Sequence, residues 1–181
     1  MGSSYYFLCA SLPMLAFGSK PPMSNEDFVK QSTGNVTVRD SGILLSARLL
    51  PGKKVKKNHP ALKVWLGFET MLRNEMVNFR SKKLRLDPLD YFRGDYVPAP
   101  NLARIVLEAS GEETPLEVER RIDIARWEKL EEIQQQHFFD LQFLVVYFLK
   151  LQILNKWDNM KTEKARKILR ELLPPEKELK E

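Results

Sequence analysis

Two adjoining helical patterns fill Thr114 to Trp157, and the second, Phe138–Leu154, is apolar around most of its circumference. A surface helix carries one apolar stripe, whereas a helix that is apolar on all sides must be enclosed. The longest unbroken apolar run, Phe143–Leu149, has seven residues, far short of the roughly 20 that a membrane crossing needs. Enclosure by protein follows: Leu141, Leu144, Val145 and Phe148 line one side, Phe143, Val146, Ile153 and Trp157 the other, and both sides require partner helices.

The helix before it has a clear start. Thr114-Pro115-Leu116-Glu117 is a capping box with proline at the first helical position, satisfying two orphan backbone donors reciprocally. From there a helix is expected to reach Gln136, with two partial apolar strips, Val118/Ile122/Ala125 and Trp127/Leu130, that face more than one neighbour.

Upstream, Tyr5–Phe17 is apolar and leads into Pro21-Pro22, after which Ser24 can cap a short helix that stops before Gly34. A helix from Asp40 or Ser41 places Ile43, Ala47 and Leu50 on one face and ends at Pro51. Residues 52–60, with Lys53, Lys54, Lys56 and Lys57, read as an exposed linker. A long helix then runs from about Ala61 to Leu84 with Ala61, Val64, Phe68, Met71, Leu72 and Phe79 on its apolar stripe, and ends near Asp87-Pro88. Leu89–Arg93 adds one turn, and Pro98-Ala99-Pro100 a stiff connector. Leu102, Ile105, Val106 and Ala109 define a short helix closed by Ser110-Gly111. Thr162 starts a last helix with Ile168, Leu169 and Leu172 turned inward, before Pro174-Pro175 and a charged tail. Hairpin signals and internal repeats are absent. The expected fold is all-α: a bundle of six to seven helices over 1–181 with a buried central helix near the C-terminus, and a subdomain junction near 94–101.

A chain of 181 residues can bury a core without disulfides or metal. Its single Cys9 cannot pair internally, which fits a reducing, cytoplasmic setting. Tyr5–Phe17 lacks a basic leader and contains Pro13, against a signal peptide. The net charge of +5 is weak for a dedicated nucleic-acid binder. Lys53, Lys54, Lys56 and Lys57, with Lys82, Lys83 and Arg85, form a candidate partner surface for phosphates or acidic proteins. Aromatic platforms for base stacking are not interleaved with them.

Catalytic signatures are missing. His59, His137 and Cys9 make no ligand cluster, the glycines are scattered singly without a phosphate loop, and no serine sits in a nucleophile motif. His137, beside Phe138-Phe139-Asp140, reads as part of a helix junction. No cofactor, metal or small-molecule substrate is expected. Two charges stand out on apolar faces: Glu75 on the long helix and Lys150 on the central one. Buried charges need partners, so Glu75 and Lys150 are expected to meet as a structural pair, or each to find another buried partner.

Tyr5-Tyr6-Phe7-Leu8-Cys9-Ala10-Ser11-Leu12-Pro13-Met14-Leu15 with Pro21-Pro22 resembles the opening of an uncharacterised bacterial family encoded with V-type ATP synthase subunits. Trp65, Phe68-Glu69, Leu72-Arg73-Asn74-Glu75, Arg80 and Leu84 resemble both that family and the central-stalk C subunit of V-type ATPases, called d in eukaryotes. Pro115-Leu116-Glu117, Arg126-Trp127, His137-Phe138-Phe139-Asp140 and Tyr147–Leu154 extend the likeness. The resemblance implies a non-enzymatic helical scaffold between shaft and rotor ring, partnered by other ATP synthase subunits and at most peripheral to the membrane on its cytoplasmic side. The chain is shorter than a full C subunit, so the likeness implies an accessory or assembly role as readily as a stalk role. The alternative class is a cytosolic helical adaptor or regulator, nucleic-acid associated through its basic patches.

Overall fold

The computed structural model describes residues 5–50 and 59–161. Among them run seven α-helices, α1 (Tyr6–Ser11), α2 (Asn25–Thr33), α3 (Val38–Ser46), α4 (Pro60–Leu84), α5 (Pro100–Ser110), α6 (Pro115–Gln134) and α7 (Leu141–Lys161), with one 3-10 turn at Leu89–Tyr91 and no strand. The all-α bundle is as the sequence patterns require.

α7 is its axis. Leu144, Val145, Val146, Leu151 and Ile153 have no exposed surface, because α4 and α6 pack on one side and α2 and α3 on the other. The helix begins at Leu141 and not at Phe138. Gln136 turns the chain with φ 66, and the Asp140 carboxylate accepts the Phe143 N–H at 3.0 Å, capping the true first turn. Phe138 and Phe139 are left outside it, exposed.

α6 starts on its predicted cap: Thr114 Oγ1 accepts the Glu117 N–H at 3.2 Å, and Glu117 Oε2 accepts the Thr114 N–H at 3.1 Å. It lies antiparallel to α7, since Gln142 near the start of α7 donates to the Ile133 carbonyl and Lys156 near its end bonds Glu119. α4 is also antiparallel to α6, with Glu69 opposite Arg126. α5 packs against both α4 and α6.

Two apolar stripes differ from expectation. α3 stops at Ser46 and Ala47 is extended with ψ 107, so helical spacing no longer governs; Ala47 and Leu49 are buried while Leu50 is exposed. Gln152 of α7 fixes this extended stretch, accepting the Leu49 N–H and donating to the Ala47 carbonyl, both at 3.0 Å. On α4 the innermost face is Leu62, Trp65, Glu69 and Leu72; Ala61, Phe68 and Leu72 of the expected stripe are buried, whereas Val64 and Met71 are exposed. The face is rotated because three neighbours, α5, α6 and α7, converge on α4. One apolar cluster draws from all seven helices, from Leu8 through Phe28, Ile43, Trp65, Leu102 and Leu130 to Leu154. The helix expected after Thr162, with Ile168, Leu169 and Leu172, and the linker lysines Lys53, Lys54, Lys56 and Lys57 lie outside the described residues.

Cys9 faces this core from α1, and burial, reinforced by Asp140, pushes its thiol up to about 11. The protonated form is favoured, so at pH 8 the thiolate population falls roughly a hundredfold below that of an ordinary thiol. Native protein should therefore react with a disulfide reagent at least that much more slowly than the same chain in denaturant. Equal rates would show that the α1 end opens readily.

Candidate functional site

Charged side chains gather where α4, α6 and α7 meet. Arg126 on α6 is 4% exposed, Asp123 one turn before it 0%, and Glu69 on α4 1%. The Arg126 guanidinium donates from Nε to Glu69 Oε1 at 2.7 Å and from NH1 to Asp123 Oδ1 at 2.8 Å. A longer contact joins NH2 to Glu69 Oε2 at 3.4 Å. The other Asp123 oxygen accepts from α7, taking Lys156 Nζ at 2.7 Å and Trp157 Nε1 at 2.8 Å. Glu119 closes the circuit, touching both Lys156 and Arg126. Arg73 stands by Glu69, with 3.8 Å between Nε and Oε2. Three cations thus face three carboxylates, a neutral set in which the deepest members have the most bonds.

Burial by itself disfavours a charged guanidinium; here Glu69 first and Asp123 second outweigh it and raise the Arg126 pKa above its ordinary value. Arg73, by contrast, is lowered by burial and by the nearby Arg93 charge, against the pull of Glu69. This centre ties three helices together through side chains already engaged with one another. Each of its three carboxylates is paired with at least one of the cations.

The Glu75–Lys150 pair does not form; each has found its own partner. Glu75 Oε1 accepts the Ala99 N–H at 2.8 Å and the Tyr96 hydroxyl at 3.2 Å. Beside it Asn74 bonds both backbone groups of Arg93, at 2.9 and 3.2 Å. Adjacent α4 residues therefore clasp the connector into α5, a use of a buried carboxylate that satisfies backbone donors. Tyr96 is pushed up by burial and by the Glu75 charge. Lys150 donates to Gln134 at 3.0 Å, lies 3.7 Å from Glu131 and sits 5.1 Å over the Trp127 ring. Burial lowers its pKa, and Glu131 restores part of the loss.

His137 contacts Asp140 at the α6–α7 junction, the structural placement its sequence neighbours suggest. His59 caps α4 by accepting the Ala61 N–H at 3.3 Å, and burial holds it below the usual imidazole range. Among the described residues no group of three His, Cys, Asp or Glu could hold a metal ion. No helix there is long and apolar enough to cross a membrane.

Residues 98–178 match the family described as Protein of unknown function (DUF2764). That span contains α5, α6 and α7 and so carries Asp123, Arg126, Lys150 and Lys156, while Glu69 and the Asn74–Glu75 clasp lie before it. No curated protein and no solved structure matches the chain.

Lys82, Lys83 and Arg85 are exposed at the end of α4. Arg85 adopts φ 57 and ψ 38, and the turn is closed by Leu86 N–H to the Ser81 carbonyl at 2.9 Å. A left-handed position strains a residue with a Cβ and suits glycine. Arg85→Gly should therefore raise the unfolding free energy by about 0.5–1 kcal/mol, measured by denaturant titration. A loss of stability instead would assign the guanidinium a contact that outweighs the backbone strain.

A shallow groove runs along the outer side of α4 and α6. Phe68, Met71, Ile105 and Ala125 line it near α5, and it continues past Lys129 and Glu132 to Val64 and Ile133. Lys129 and Glu132, one turn apart on α6, pair along its wall.

Proposed function

We propose that this chain is a non-enzymatic part of a bacterial V-type ATP synthase, an accessory or C-like stalk subunit acting as a rigid helical scaffold between shaft and rotor ring. The observation that carries this reading is the neutral ionic centre. Glu69, Arg73, Arg126 and the Trp127 that bears on Lys150 are among the positions on which the resemblance to the C subunit rests. In the fold Glu69, Arg73 and Arg126 converge and, with Asp123, Lys156 and Trp157, tie α4, α6 and α7 together. A member of a rotating or torque-bearing assembly needs fixed shape, and cross-helix charge bonding resists sliding of one helix along another because every bond has a set register. Asn74 and Glu75, in the same stretch of resemblance, hold the connector to α5 in the same manner.

The test is affinity purification of the tagged chain from its native host in mild detergent. ATP synthase shaft or rotor-ring subunits are expected to co-purify in fixed ratio. If the intact ATP synthase is recovered without the chain, and the chain is instead retained on DNA or RNA with a steep salt dependence, the adaptor reading through Lys82, Lys83 and Arg85 replaces it.

A further inference from the structure

α4 ends in a tip that the bundle does not cover. From Lys82 to Tyr91 every residue is exposed except Pro88, which is partly buried. Four of them are large and apolar: Leu89 is 71% exposed, Leu84 66%, Tyr91 59% and Leu86 52%, and none belongs to the core cluster. The fold nevertheless holds them in fixed places. The Leu86 N–H closes the turn onto the Ser81 carbonyl at 2.9 Å, the Tyr91 N–H bonds the Pro88 carbonyl at 3.0 Å, and the Leu89 N–H bonds the Asp87 carboxylate at 3.0 Å. Beyond them Asn74 clamps the Arg93 backbone, and Phe92 stacks on Tyr96 with 4.4 Å between ring centroids. The same stretch carries one prevailing charge: Arg80, Lys82, Lys83, Arg85 and Arg93 stand against Asp87 and Asp90. Basic residues in a last helical turn complement the helix dipole. That accounts for Lys82 and Lys83 but not for the apolar tip beside them.

We propose that this tip docks on an anionic lipid bilayer. Leucine and tyrosine side chains set among lysine and arginine match the two layers of a membrane surface. The apolar groups enter the boundary between headgroups and acyl chains, while the cations stay with the anionic headgroups. Long basic side chains keep their charge at that level, as their stems lie along apolar surface. Charge together with exposed leucine selects the occupant. A nucleic acid would engage the cations and leave the leucines without a role, since duplexes are held by phosphate contacts and single strands on aromatic platforms. A protein interface is depleted in lysine, whereas Lys82 and Lys83 directly precede Leu84. Either signal alone attaches a protein weakly, and the two together attach it stably. Such attachment serves whichever assembly the bundle belongs to, and so stands apart from the ATP synthase reading.

The test is co-sedimentation of the purified full-length chain with phosphatidylcholine vesicles, with and without phosphatidylglycerol. Binding at least roughly tenfold tighter to the anionic vesicles is expected, with release when salt is raised several-fold. Leu86→Ser/Leu89→Ser should weaken that binding at least about tenfold, and Lys82→Gln/Lys83→Gln at least about fivefold. Both should keep the circular dichroism of the parent, because all four side chains are exposed. Leu107→Ser, at an exposed site on α5, should bind as the parent does. Amide exchange gives a readout that needs no substitution: residues 82–91 should exchange more slowly on anionic vesicles. Absence of anionic binding overturns the proposal, as does full binding by the leucine variant or slowing confined to other segments. Capture of the parent by DNA or RNA, with vesicle binding absent, would make the tip a nucleic-acid contact instead. Because vesicle binding and ATP synthase co-purification are separate readouts, either can fail without the other.

Discussion

Replacing Arg126 with methionine is expected to lower the unfolding free energy by about 3–5 kcal/mol, measured by urea or thermal denaturation. Methionine fills the hydrocarbon part of the side chain, so the loss is chiefly electrostatic. It leaves Glu69, 1% exposed, with only Arg73 nearby, at 3.8 Å and beyond hydrogen-bond length. Breaking a buried ion pair from one side is far more damaging than removing both members, because the surviving charge keeps its desolvation cost without its attraction. Against a total stability of about 5–15 kcal/mol, such a loss takes a large share. Asp123 suffers less, since Lys156 and Trp157 still donate to it.

That asymmetry sharpens the test. Adding Glu69→Leu to Arg126→Met removes the orphaned carboxylate and should restore about 1–3 kcal/mol of the loss. If the second substitution deepens the loss by its full independent cost, the two side chains are not coupled and the centre is no lock. A deficit below about 1 kcal/mol in the single variant would lead to the same conclusion, as it would place the guanidinium in contact with water.

Sequence periodicity makes the helices legible and leaves their mutual orientation open. The Thr114 cap, the glycine stops at Gly34 and Gly111 and the all-round apolarity of α7 are found in place, whereas α3 ends at Ser46, ahead of the expected stop at Pro51. The buried face of α4 differs from the expected one by part of a turn. Val64 and Met71 have the correct spacing with Phe68, but Leu62 and Trp65 have it with Leu72, which both faces share, and only the arrival of α5, α6 and α7 decides which are covered. Glu69 lies between Trp65 and Leu72 on that second face, a signal as strong as that of Glu75 on the first. Glu119, Asp123 and Arg126 follow one another at helical spacing on α6, a charged face written in the sequence. Which cation meets which carboxylate is not written there, because partner choice across helices depends on register and axial position that no single helix encodes. Glu75 illustrates this: its oddness is visible in the sequence, yet its partners are the Ala99 N–H and Tyr96 hydroxyl of a connector with no periodic pattern.

Phe28→Ala is expected to cost about 3–5 kcal/mol, and to do so at the opposite side of α7. Phe28 has no exposed surface and its ring is stacked against two rings of the central helix, 5.0 Å from Phe148 and 5.5 Å from Tyr147. Removing it deletes both aromatic contacts and leaves a ring-sized cavity. α2 has few other ways to hold α7: Asn155 reaches the Met23 carbonyl and Asn25 at 3.2 Å, at the rim of the contact. The N-terminal helices should therefore loosen before the α4–α6–α7 centre does. Amide exchange is expected to accelerate first in α2 and α3, with protection in α6 falling only with global stability. Combined with Arg126→Met, the losses should add within about 0.5 kcal/mol, as the two sites share no partner. Clear non-additivity, or exchange that accelerates equally in α3 and α6, would mean that α7 transmits strain between its two faces and that the bundle melts as one unit.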